Sequence, residues 1–111
     1  MTVTSKELIP SKFVESSQTV QYSATEVTTV IDKFTAVNSG VSTANVSINI
    51  VPTGESVGSS NIVTLTRTLI VGEIYTFPEI VGHILESGSA ISAIASLAST
   101  ISIRASGREI S

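Results

Sequence analysis

The chain has no cysteine, no tryptophan and a single histidine in 111 residues. Without cysteine there is neither a disulfide framework nor a thiolate metal site, and redox usage says nothing about compartment. Aromatic residues are 5 % of the chain and charged residues only 14 %, with a formal net charge of −3. The six basic residues, Lys6, Lys12, Lys33, Arg67, Arg104 and Arg108, are scattered, so no cluster exists to displace phosphate counterions and a nucleic-acid partner is not expected. No uncharged run approaches the length of a membrane helix. The start, Met1-Thr2-Val3-Thr4-Ser5-Lys6, lacks the charged head and apolar middle of a signal peptide, so the expected place of synthesis and residence is the cytosol, unless the protein leaves inside something larger.

What is present is hydroxyl and β-branched residues. Ser and Thr make up 33 of the 111 positions, and Val and Ile are abundant. This balance favours pleated sheet over helix, with Ala filling small core positions. The length suits one domain, whose folding buries roughly 60 to 70 % of the surface exposed by the unfolded chain. With so little charge, Ser, Thr and Asn must cover the outer faces, and a partner can cover such a surface with little ion desolvation.

Residues 44–91 organise the pattern. Asn45-Val46-Ser47-Ile48-Asn49-Ile50 alternates strictly, which puts Val46, Ile48 and Ile50 inward on a strand crossing the middle of a sheet. Residues 53–60 are a Gly- and Ser-rich loop. In the apolar run that follows, Val63, Leu65 and Leu69 are assigned to the core, and Arg67 is the odd inward member unless it lies at the rim. Val71-Gly72-Glu73 turns the chain into Ile74-Tyr75-Thr76-Phe77-Pro78, where Tyr75 and Phe77 share a phase that favours the core. Residues 79–86 form a helical turn or a short strand, with Ile80, Ile84 and Leu85 capping one end.

Upstream, residues 19–24 alternate as a strand. The strand over 27–37 changes phase between Ile31 and Phe34, as a β-bulge would require, and ends at Asn38-Ser39-Gly40. Residues 91–95 and 100–105 read as a closing hairpin. The fold class is therefore all-β: an antiparallel, jelly-roll-like β-sandwich of about seven to eight strands over residues 19–111. Residues 1–18 form an N-terminal arm or an edge strand, since Pro10 keeps them out of a central strand. The apolar residues of that segment, Leu8, Ile9, Phe13 and Val14, are the candidate partner-binding positions.

No constellation carries chemistry. Glu79, His83 and Glu86 would share a face only on a helix that Gly82 interrupts, so His83 is expected to be an ordinary solvated residue. Gly54-Glu55-Ser56-Val57-Gly58 lacks the Lys-Ser/Thr of a phosphate loop, and no Gly-x-Ser-x-Gly elbow occurs. Asp32, the only aspartate, has no acidic neighbour in sequence. Neither catalysis nor a cofactor nor a bound metal is expected.

Thr35-Ala36-Val37-Asn38, Ile50-Val51-Pro52-Thr53-Gly54, Ser60-Asn61-Ile62, Val71-Gly72-Glu73-Ile74-Tyr75 and Leu85-Glu86-Ser87-Gly88-Ser89-Ala90-Ile91 resemble a small β-sandwich of tailed bacteriophages. Over residues 19–110 the layout is similar to the capsid staple, or decoration, proteins of epsilon-fifteen-like short-tailed phages. The resemblance implies a jelly-roll-like sandwich on the outer surface of the virion, bound to the major capsid protein and paired as a homodimer that clamps neighbouring subunits. It assigns no binding residue. Related modules occur in tails and fibres, so the other reading is a tail or fibre module binding host carbohydrate, for which only Tyr22 and Tyr75 are candidate stacking platforms.

Overall fold

The computed structural model describes all residues from Met1 to Ser111. It contains nine strands: β1 Val3–Phe13, β2 Thr19–Ser23, β3 Thr28–Asn38, β4 Ala44–Val51, β5 Ile62–Leu69, β6 Ile74–Tyr75, β7 Ile84–Leu85, β8 Ala90–Ala95 and β9 Ile101–Ile110. They form two antiparallel sheets packed face to face, a β-sandwich. One sheet runs β1-β9-β3-β6, with β7 also on β3, and the other runs β2-β8-β4-β5. The two-residue strands β6 and β7 lie one after the other along β3 and together do the work of one edge strand.

The order is nested. The chain goes out through β1, β2, β3 and β4 and returns through β5, β6 with β7, β8 and β9. Each returning strand pairs with its counterpart on the way out, β5 with β4, β6 and β7 with β3, β8 with β2 and β9 with β1. The expected hairpin between 91–95 and 100–105 is therefore corrected: β8 and β9 lie in different sheets, and residues 96–100 cross between them. Both strands turn small and branched apolar residues inward, Ile91, Ala93 and Ala95 on one and Ile101, Ile103 and Ala105 on the other. Alternation marks the inward face but does not say whether the next strand shares the sheet.

Twenty-one buried apolar residues fill the space between the sheets, and Phe34 meets Phe77 edge to face with centroids 4.8 Å apart. Several register shifts interrupt the ladders, and three of them decide which apolar residues enter the core. On β3 the pairing with β9 skips at Asp32, so Ile31 and Phe34 both point inward. On β1 the pairing slips between Glu7 and Ile9, which turns the consecutive residues Leu8 and Ile9 both into the core. On β5 the two steps from Val46 to Ile48 are matched by three from Thr64 to Arg67, and Thr66 takes a left-handed φ of 49°. Phase reverses across that bulge, so Thr64 is buried and Leu65 is exposed, correcting the assignment of Leu65 to the core. Leu69 is fully buried and Val63 is half-buried against the core. Ile48 is fully buried, whereas Ile50, near the end of β4, is half-buried.

Candidate functional site

The segment proposed as a partner-binding arm is part of the fold. β1 is the edge of the five-stranded sheet and pairs with β9 from Val3↔Ile110 to Phe13↔Ser102. Leu8, Ile9 and Val14 belong to the core, so three of the four candidate contact residues are corrected from partner-binding to structural. Phe13 alone is exposed. The physical reason is the bulge: an irregular apolar pattern in the sequence looks like a segment with no sheet face of its own, but it packs two adjacent side chains into the interior.

The candidate titratable group does not assemble. His83 sits on the turn between β6 and β7, where its backbone N–H donates to Ile80 and its carbonyl accepts from Ile31. Its side chain is exposed, and no three His, Asp or Glu side chains come together in a metal-holding group. Glu79 turns away to other partners, accepting from Thr64 Oγ1 at 2.5 Å and from the Tyr75 hydroxyl at 2.6 Å. Desolvation pushes this carboxyl up, but the two hydrogen bonds and nearby Arg67 outweigh it and hold it below the usual carboxylate range. Since Thr64 is on β5 and Tyr75 on β6, Glu79 ties together the two sheets along one side of the sandwich.

A matching tie closes the other side. Tyr22 on β2 donates to Glu109 Oε2 on β9 at 2.5 Å, and its oxygen lies 2.7 Å from Thr29 Oγ1 on β3. The phenolic proton is committed to the carboxylate, so Thr29 donates to Tyr22. Burial, together with Glu109, pushes the Tyr22 hydroxyl up to about 12, and the bond from Tyr22 holds Glu109 below the usual carboxylate range. Both tyrosines are thus occupied: Tyr22 is buried, and the Tyr75 ring carries the Arg67 guanidinium 4.1 Å from its centroid, with Phe77 at 4.7 Å. Neither presents the open face that sugar stacking requires.

What remains is surface, and its charge is sorted. β1, β3 and β9 carry Lys6, Glu7, Lys12, Asp32, Lys33, Arg104, Arg108 and Glu109, whereas the four strands of the other sheet carry only Arg67. Cross-strand pairs hold the charged face, including Arg108 bidentate on Asp32 with both bonds at 3.0 Å and Arg104 on Glu7 at 3.1 Å. The outer face of the four-stranded sheet is a lattice of hydroxyls and amides. Thr68 Oγ1 donates to Asn45 Oδ1 at 2.8 Å, the Thr66 N–H to Ser47 Oγ at 2.8 Å, and Gln18 to Ser92 Oγ at 2.8 Å. The largest surface depression, about 450 Å³, lies where the end of β4 meets β7 of the other sheet, between Pro52, Thr53, Ile84, Glu86 and Ser89, and contains no converging donors or acceptors of catalytic type. Comparison with protein-family models, with curated proteins and with solved structures returned no match.

One turn-type residue does more than end a strand. Asn38 is fully buried at the end of β3, where an amide must find all of its partners inside the protein. Its Nδ2 donates to the Ser42 and Leu69 carbonyls, both at 2.9 Å, and its Oδ1 accepts from the Gly40 N–H at 3.0 Å. An Asn closing a long apolar strand just before Ser-Gly is the cue that could have pointed to a loop-organising residue.

Proposed function

We propose that this protein is a structural, non-enzymatic virion component that binds the outside of a tailed-phage capsid shell and stabilises it as a paired clamp. The observation that carries this reading is the sorting of charge: a broad sheet face with no charged side chain except Arg67 at its rim, on a molecule whose opposite face is laced with ion pairs. An uncharged face of interlocked hydroxyls and amides can be covered without stripping water from ions, which suits pairing of two copies. The nested strand order supports the same reading, because it is in keeping with a jelly-roll-like sandwich, an architecture found in capsid and lectin domains. A ligand that binds only the assembled shell stabilises it by mass action, and many modest contacts repeated around the shell add without any single strong site.

The reading is tested by heating particles with and without the protein. Shells of an epsilon-fifteen-like phage that lack it should assemble but release DNA at lower temperature than decorated ones. Equal robustness of bare and decorated particles would remove the clamp role.

A further inference from the structure

The sandwich has two unlike ends. Four connections, residues 14–18, 39–43, 70–73 and 96–100, meet at one end; residues 24–27, 52–61 and 86–89 and both termini lie at the other, and residues 76–83 run along the side of β3 between them. The first end exposes Phe13, Val41, Ile70, Val71, Ile74 and Leu97, with Val41 96 % exposed. Its charges are internally satisfied: Lys12 pairs with Glu15 at 2.8 Å, and Glu73 lies 4.0 Å from Arg67 while accepting from the Ile70 N–H at 3.0 Å. The opposite end also exposes apolar residues, Met1, Val3, Val57 and Ile84, but it carries Glu26, Glu55 and Glu86, none of which is in an ion pair. Five of the six basic side chains are paired, so those three glutamates, with Glu79 and Lys33, account for the formal net charge of −3. One end is apolar and neutral, and the other is acidic.

The apolar end is also held in shape before any partner arrives. The buried Asn38 amide ties the 39–43 loop to the end of β5, and its backbone N–H donates to Glu73 at 3.0 Å while its carbonyl accepts from Gly72 at 2.8 Å. The Ser39 N–H donates to Thr100 at 3.1 Å, which joins the 96–100 loop to the same set. Loops fixed in this way lose little conformational freedom on docking, and that is one of the main costs of association.

We propose that this loop end is the surface that seats the protein on the shell, and that its partner is an uncharged, apolar recess in a larger protein assembly; the inference rests on the shell-binding reading above. Charge argues against a lipid surface, since anionic headgroups are met by free Lys or Arg and this end has none. Size argues against a second copy. The molecule measures 45 × 27 × 20 Å, and with the strands running along its length the end has a cross-section of 27 by 20 Å. That is on the order of 500 Å² if flat, below the ~800 Å² per partner of a stable dimer, whereas a recess that wraps the loops gains area from their sides.

The experiment is co-sedimentation of the purified protein with empty shells of an epsilon-fifteen-like phage, comparing wild type with Val41→Asp, Val71→Ser and Val57→Asp. Far-ultraviolet spectra and melting curves establish that each variant is folded, and Val71→Ser serves if Val41→Asp is not. Val41→Asp should weaken binding by about tenfold or more, because a charge is buried without a partner. Val71→Ser should weaken it measurably, and Val57→Asp, the same kind of change at the acidic end, should leave it unchanged. If wild type binds and both loop-end variants bind equally well, or if Val57→Asp is the variant that fails, the loop end is not the docking surface. Binding to phosphatidylcholine or phosphatidylglycerol vesicles that Val41→Asp abolishes, or a dimer that Val41→Asp dissociates, would overturn the proposal in favour of a membrane or of a second copy. Failure of wild type to bind shells at all removes the shell-binding reading together with this inference, an outcome distinct from loss in the loop variants alone.

Discussion

The hydroxyl of Tyr22 reaches across the sandwich to Glu109, 87 positions away in the chain, and joins the edge strand of one sheet to a central strand of the other. Tyr75 and Glu79, with Thr64, do the same on the opposite side. The only two tyrosines of the chain are therefore both structural ties, each donating to a carboxylate that bridges sheets.

Replacing Tyr22 by Phe keeps the ring and removes the tie. The expected loss is up to about 1.5 to 3 kcal/mol, the range for a hydrogen bond to a charged group, because the fully buried Thr29 loses its acceptor while the partly exposed Glu109 keeps Lys6. The substitution should also change the pH profile. The Tyr22 hydroxyl is raised to about 12 in the folded protein, so its contribution is intact below its ordinary value and falls as pH rises toward 12. Glu109 is lowered, so its contribution is intact above the ordinary carboxylate range and falls as the solution is acidified. Urea melts of wild type across pH should show both limbs, and Tyr22→Phe should shrink the alkaline one, leaving the part contributed by Tyr75, whose hydroxyl is also raised by burial and by Glu79. An unchanged profile would mean that the tie contributes nothing.

Removing residues 1–14 should abolish the folded state. The deletion takes Leu8, Ile9 and Val14 from the core and uncovers the edge of β9. A cooperative melt in the truncated chain, measured by near-ultraviolet dichroism, would contradict the placement of β1.

Gly107→Ala should cost about 3 kcal/mol or more, since a Cβ there would lie 2.1 Å from the Val30 carbonyl oxygen and 2.9 Å from Leu8 Cδ1. Gly54→Ala, where nothing lies within 4 Å but φ is +81°, should cost about 1 kcal/mol from backbone strain alone. Equal losses at the two sites, measured by denaturant unfolding, would mean that the close approach at Gly107 is not the limiting contact.

Ile48→Ala in the centre of β4 should cost about 2 to 5 kcal/mol, because a fully buried branched side chain leaves a cavity that two facing sheets cannot collapse around. A loss under about 1 kcal/mol would put Ile48 outside the core and reverse the phase of β4.

The elements were legible where alternation ran undisturbed. β4 and the inward faces of β8 and β9 follow directly from apolar residues at every second position, and the bulge in β3 announced itself as the step from Ile31 to Phe34, whereas in β2 a register shift leaves Val20 exposed beside the buried Tyr22. The misreadings share a cause. Leu65 lies outside and Leu8 inside because single-residue bulges shift the phase, and a bulge within a short polar-rich strand leaves no mark in residue types. Which sheet each strand joins was hidden as well, since the separation of β8 from β9 is decided by pairing partners distant in sequence. For the surface, scarcity of charge was plain in the composition. That the charge concentrates on β1, β3 and β9 and leaves one sheet face and one loop end free of unpaired ions is a property of the winding, and no local pattern records it.

Shell binding is read out by imaging virions of an epsilon-fifteen-like phage, after adding this protein with a heavy-atom cluster at an exposed residue of its acidic end, such as Glu55→Cys. A clamp between capsid subunits should place label over the whole outer shell at repeated positions between neighbours. Label confined to the tail, or absent from the particle, would contradict it.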